Sequence, residues 1–217
     1  MKYRKYVDKY MIKRKPNERY ASFDYCFNYF QNFNKKNKVQ ELAKKENILL
    51  SCLHLGFFLA SWGMYRGGTE IFKKSIMYLV PAIKLAANRK YHNLWKVDIE
   101  NYTEEKNIEL ILLFYSQLKK LYRNQMTDTL ASKIMLGIFG NIPAIDDNFR
   151  KGFKISKKLS KHTLQKIYNR YNSDDSLKKS CNKSIPTYNF YGGKTNIKYT
   201  KAKIFDMIYF TTGLNKK

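Results

Sequence analysis

Acid is what this sequence has least of: 17 Asp and Glu stand against 42 Lys and Arg in 217 residues, a formal net charge of +25. An excess of that size goes beyond what solubility requires and attracts polyanions, either nucleic acid or an anionic membrane surface. An AT-rich coding sequence inflates Lys, Asn, Ile and Tyr, but it leaves the shortage of acid to be explained. Cysteine is also scarce. Cys26, Cys52 and Cys181 are odd in number, widely spaced and free of any Cys-x-x-Cys pair. That argues against a disulfide framework and a zinc or iron–sulfur site, and it fits a reducing cytoplasm. His54, His92 and His162 show no ligand spacing, so no metal is expected. The longest uncharged run, Ile48 to Met64, contains Ser, His and Trp and is at the short limit for a bilayer, so it reads as a buried core helix. The basic N-terminus MKYRKYVDKYMIKRK never reaches an apolar signal segment. The expectation is a soluble, cytoplasmic protein without a membrane partner.

What is present suffices for a core, since 44% of residues are hydrophobic and 16% aromatic. Few turn-forming clusters interrupt the first 180 residues, and strand signals are weak throughout. The fold class is therefore all-α: one globular helical domain, or two closely packed helical lobes. Residues 37–60 place Leu42, Ile48, Leu49, Leu53 and Phe57 at helical spacing, in a helix that becomes fully buried toward its end. After the glycines of GMYRGGTE, Thr69 is positioned to cap a helix over 70–88 that Pro81 kinks or divides. Asn101 and Glu104 resemble a capping box opening a helix that runs to Arg123. A further helix spans 128–139, and a basic stretch runs from Arg150 to Lys166. Residues 173–196 read as a polar loop, and Thr200 caps a last helix over 201–212. The expected organisation is a basic N-terminal segment (1–35) packing on the core, a helical core with the candidate site (36–172), and a polar loop with a C-terminal helix (173–217).

The segment TLASKIMLGIFGNIPAID, Thr129 to Asp146, places a carboxylate where scarce acid needs a reason. Gly140 and Asn141 end an apolar helix, Pro143 fixes the exit, and Asp146 stands ready to cap the next helix. Capping alone would account for it. The spacing of Thr129, Gly140, Pro143, Ile145 and Asp146 also resembles the segment that delivers the catalytic aspartate in the helix-hairpin-helix DNA glycosylases, in particular their adenine-glycosylase branch. DNFRKG, which begins at Asp147, is similar to the helix that follows. The likeness covers about 25 residues; elsewhere it is architectural.

The resemblance implies a monofunctional DNA glycosylase that excises a damaged or modified base, with Asp146 as the catalytic carboxylate. An ionised Asp near C1′ stabilises the positive charge that builds on the sugar and orients or deprotonates water. A cationic surround keeps such a group ionised. The chain departs from the family in its hairpin, where RNQMTD replaces the glycine-rich sequence. Phosphate would then be held by Arg123, Gln125, Thr127 or basic residues elsewhere. Bifunctional members carry a nucleophilic Lys about where Thr127 stands, and Lys133 lies farther along, so strand-cleaving lyase activity is not implied. The family's cysteine-ligated cluster is missing, and no cofactor is expected.

Base flipping requires something to fill the gap. Ser61–Thr69 lies where the family presents a wedge loop. Met64, Tyr65 or Arg66 would intercalate and Trp62 would stack on the flipped base, unless Trp62 and Tyr65 are simply core aromatics. Glu70 is either a second acid or a first-turn charge. Arg150, Lys151, Lys154, Lys157 and Lys158 would follow the DNA backbone, or form a solvated face. The alternatives are a non-catalytic nucleic-acid-binding protein on the same scaffold, serving in phage defence or phage biology, and a helical toxin or adaptor with a protein partner.

Overall fold

Two glycines on facing helices let two backbones pack in direct contact. In a computed structural model of the protein, which describes residues 2–156 and 158–216, α7 (Asp147–Phe153) lies against α10 (Lys201–Leu214). A Cβ on Gly152 would stand 1.9 Å from the carbonyl oxygen of Tyr209, and one on Gly213 would stand 1.8 Å from that of Asn148. Only hydrogen at both positions lets the two backbones touch. Phe149 and Phe153 then pack on Phe205 and Tyr209.

The other helices are α1 (Arg4–Ile12), α2 (Ala21–Lys35), α3 (Ile48–Ser61), α4 (Val80–Ala86), α5 (Glu105–Leu121), α6 (Asp128–Phe139), α8 (Lys161–Ser173) and α9 (Asp175–Cys181), joined in places by 3-10 turns. One continuous core unites them. Within residues 1–35, α2 contributes Phe23, Phe27 and Phe30 to its centre. No helix among the described residues is long and apolar enough to cross a membrane. Among the described residues the fold is all-α apart from one hairpin, β1 (Pro186–Tyr188) with β2 (Lys194–Lys198).

Elements with both a cap and an apolar run fall where the sequence places them. Helix α6 spans 128–139, and the Thr127 hydroxyl accepts from the Leu130 N–H at its start. Thr200 accepts from the Lys203 N–H in the same way at the start of α10. Four expectations change. The helix expected over 37–60 breaks between a 3-10 turn, Val39–Ala43, and α3, because the Asn47 side chain and the chain at Lys44–Asn47 close a turn of their own. Its end is not fully buried: Leu49, Leu53 and Phe57 are exposed. Residues 70–88 form two 3-10 turns before α4, and Pro81 stands in the first turn of α4, where its missing N–H costs nothing. Thr69 does not cap; its hydroxyl instead donates to the carbonyls of Met64 and Arg66. The capping box forms one turn early, between Asp98 and Asn101, and α5 starts at Glu105. The polar stretch 173–196 holds α9 and the hairpin, whose five-residue turn is fixed by the Asn189 carboxamide accepting from the N–H groups of Tyr191 and Gly193.

Gly213→Ala and Gly152→Ala should each destabilise the fold by about 3 kcal/mol, because the obstacle is backbone that cannot rotate away. Urea unfolding should show a lowered midpoint at unchanged slope.

Candidate active site

The approach to Asp146 is pinned at each step. Helix α6 is buried from Leu130 to Phe139 and ends at Gly140, whose left-handed φ of 68° terminates the helix while its missing Cβ leaves room for the Phe27 ring. The extended stretch that follows is tied back to α6: the Ile145 N–H donates to Ser132 Oγ at 2.9 Å, and the Thr129 hydroxyl donates to the Ile145 carbonyl at 3.1 Å. The Ala144 N–H donates to Asp206 on α10 at 3.1 Å. The two ends of the Thr129–Asp146 segment therefore meet.

Asp146 caps α7, its Oδ1 accepting from the Phe149 N–H at 2.9 Å. Its other oxygen, Oδ2, faces Lys133 Nζ at 3.5 Å. Lys133 is itself buried in α6, and its ammonium donates to the Trp62 carbonyl at 2.9 Å. Beside this pair stands a second, Lys203 with Asp206, at 2.8 Å. The two pairs share one small cavity of about 10 Å³, closed by Phe58, Trp62 and Phe210. Burial raises the pKa of Asp146, opposed by the Lys133 charge and the Phe149 N–H. Burial lowers that of Lys133, opposed by Asp146 and Asp206. Two ammonium groups and two carboxylates balance to zero inside a strongly cationic molecule.

Trp62 is the cover. It follows α3 directly, sits half-buried between the rings of Tyr20 at 4.9 Å and Phe210 at 5.3 Å, and stacks on Tyr10. The ammonium groups of Lys133 and Lys203 lie against its ring, as does the Arg19 guanidinium. Its indole N–H is buried without a hydrogen-bond partner among the described residues, as are the Tyr10 hydroxyl and the Trp95 indole N–H. Of its neighbours in the loop, Met64 is buried, Tyr65 half-exposed with an unpartnered hydroxyl, and Arg66 exposed. Glu70 pairs with Lys74 at 3.0 Å. Asp147, 74% exposed, pairs with Arg150 at 2.8 Å.

Between α5 and α6 the chain makes a tight hairpin. Arg123 and Asn124 take up left-handed φ of 51° and 59°, the conformation that glycine usually supplies, and the Asn124 N–H donates to the Lys119 carbonyl at 2.9 Å. Arg123, Gln125 and Thr127 are exposed there. Lys133 stands about 9 Å along α6 from Thr127 at the helical rise per residue. Among the other basic candidates, Lys151, Lys154 and Lys158 are exposed and Arg150 is half-exposed. Lys157 lies outside the described residues.

Sequence reasoning missed a groove of about 550 Å³ at the far end of α7, lined by Lys2, Lys154, Lys166 and Arg170 over the rings of Tyr3, Phe153 and Tyr209. Arg170 is fixed there, donating to the hydroxyls of Tyr209 at 3.1 Å and Tyr3 at 2.6 Å and pairing with Asp174 at 3.0 Å. The groove starts about 10 Å from Asp146, the length of α7. Its residues come from four separated segments, so no local pattern announces it. Among the described residues no three His, Cys, Asp or Glu side chains gather as a metal-ligating group.

Lys133→Met should cost about 3–5 kcal/mol, since it leaves a buried carboxylate unpaired. The raised Asp146 pKa gives the sign of its pH dependence: the folded state holds the proton more tightly than the unfolded one, so the deficit is greatest above the folded pKa and shrinks as pH falls through it. Adding Asp146→Asn to Lys133→Met should recover part of the loss in urea unfolding at neutral pH. No protein-family model, no curated protein and no solved structure matches this chain.

Proposed function

We propose that this protein binds DNA and hydrolyses the N-glycosidic bond of a damaged or modified base, with Asp146 as the catalytic carboxylate. The observation that carries the proposal is the pairing of Asp146 with the buried Lys133 beneath Trp62, at the end of a helix, hairpin and helix. A buried ion pair is a poor source of stability, because well-packed apolar residues serve as well or better. Titratable groups perturbed by burial and a charged partner are, conversely, what active sites assemble. The left-handed pair Arg123 and Asn124 supports the resemblance where the glycines are missing, since it closes the same kind of turn by other residues.

Each group has a distinct task. Burial raises the Asp146 pKa, where a cationic surround alone would lower it, and the Lys133 charge opposes that rise; in its ionised form the carboxylate stabilises the charge growing on the sugar as the base departs. A protonated Lys133 has no lone pair to attack C1′, so strand scission should require added alkali. Arg123, Gln125 and Thr127 at the hairpin, with Arg150, Lys151, Lys154 and Lys158 along and beyond α7, supply donors and charge for the phosphates. Trp62 must swing away to admit a base, and its ring then offers a stacking surface.

One observation favours a second reading, a nucleic-acid-binding protein without base excision: the cavity at Asp146, about 10 Å³, has no room for a base while Trp62 is in place. Incubation with duplex DNA carrying base lesions or phage-type modified bases, followed by alkali, separates the two. Base excision predicts alkali-labile sites that fall by at least about 100-fold in Asp146→Asn, while salt-sensitive binding persists. Binding without such sites supports the second reading, and neither result directs attention to a protein partner.

A further inference from the structure

The outer face of α3 is apolar and bare. Leu49, Leu50, Leu53 and Phe57 are 58%, 49%, 46% and 58% exposed, and beside them the hairpin tip raises Phe190 and Tyr191, at 69% and 90%. If each offers roughly 200 Å² when fully exposed, the six present about 700 Å² of apolar side chain. That exceeds the largest patch on most monomers, about 300–600 Å². It also approaches the roughly 800 Å² that each partner contributes to a stable interface.

Three features identify the occupant. The first is spacing: Leu50, Leu53, Phe57 and Ala60 follow one another at intervals of three, four and three residues, all exposed. This is the seam along which one helix packs against another. The second is charge. Lys and Arg make up 42 of 217 residues, yet α3 carries neither, and the groove between α3 and the hairpin is lined by apolar, aromatic, amide and hydroxyl side chains with His54. Lys35 stands at the rim, its ammonium held on Asn196, but the α3 ridge and the groove lining carry no lysine to set against a second cationic copy. The third is shape. The groove, about 590 Å³, runs between the α3 ridge and Phe190, with Ile197 in its floor. A ridge beside a groove is self-complementary under a two-fold axis, each copy inserting its ridge into the other's groove.

We propose that α3 and the hairpin tip form a two-fold interface between two copies of this chain. The proposal stands apart from the reading of Asp146. Long-range repulsion between the copies makes its salt dependence opposite in sign to that of DNA binding: screening strengthens the dimer and weakens the DNA complex.

Sedimentation equilibrium of the full chain, from low salt to about 0.5 M at concentrations up to about 100 µM, tests it. The mass should rise with salt from 25.9 kDa toward twice that value. Phe57→Lys and Leu53→Lys should each raise the dimer dissociation constant by at least about 30-fold. Leu121→Lys, an exposed apolar site on α5, should leave it unchanged. Circular dichroism and unfolding midpoints matching the wild type would establish that the variants are folded. A chain that stays monomeric at every salt concentration overturns the proposal, even if it then binds anionic vesicles or another protein. So does a dimer indifferent to both α3 substitutions.

Discussion

The structure depends on neutralising charge where water cannot reach it. A chain so short of acid places several of its carboxylates inside: Asp24 against Arg14 at 2.6 Å, Asp206 against Lys203, and Asp146 against Lys133. Each is also a junction. Asp24 accepts from the Tyr188 N–H and holds the hairpin to α2, while Asp206 accepts from the Ala144 N–H and holds the α6–α7 connection to α10. Half-buried Asp98 accepts from the N–H groups of Ile99, Lys201 and Ala202 and joins two distant segments. Scarce acid therefore serves as internal wiring between elements, and the surface is left overwhelmingly cationic. Asp146 and Lys133 share the cover of half-exposed Trp62 with Lys203 and Asp206, and differ from that pair in that Lys133 also donates to the Trp62 carbonyl and Asp146 caps α7.

Much of the helical layout was legible in the sequence, and the reasons are local. Helices α6 and α10 each begin with a threonine cap and continue as apolar runs, so their starts can be read from neighbouring residues alone. Asp146 stood out because glycine and proline punctuate the chain just before it. Lys133 entered only as a lysine too far along α6 for a lyase role and Lys203 not at all, because a helical lysine ordinarily reads as solvent-facing. The signal available was their setting, one lysine inside ASKIMLGIF and a lysine three residues before an aspartate inside AKIFDMIYF, where the neighbours are buried. The outer face of α3 misled for the converse reason: a helix apolar all round reads as buried, and nothing in its sequence marks which side meets solvent. The basic groove joins residues from both ends of the chain, which only the tertiary fold brings together.

Two surfaces with opposite chemistry follow from this arrangement. One is basic, with exposed Arg123 at the hairpin and the groove of Lys2, Lys154, Lys166 and Arg170 beyond the far end of α7. The other, along α3, is free of lysine and apolar. Trp62, at the C-terminal end of α3, is the covalent link between them.

Base excision requires the charged centre to open onto bound DNA by displacement of Trp62. The chain has two tryptophans, so with Trp95 replaced by Phe the emission of Trp62 alone can be followed as DNA containing the target base is added. Opening predicts a saturable change in intensity and wavelength as the indole leaves the cluster of Tyr10, Tyr20 and Phe210 and meets a base. Emission unchanged at saturating DNA would contradict it, leaving Asp146 and Lys133 as a permanently sealed structural pair.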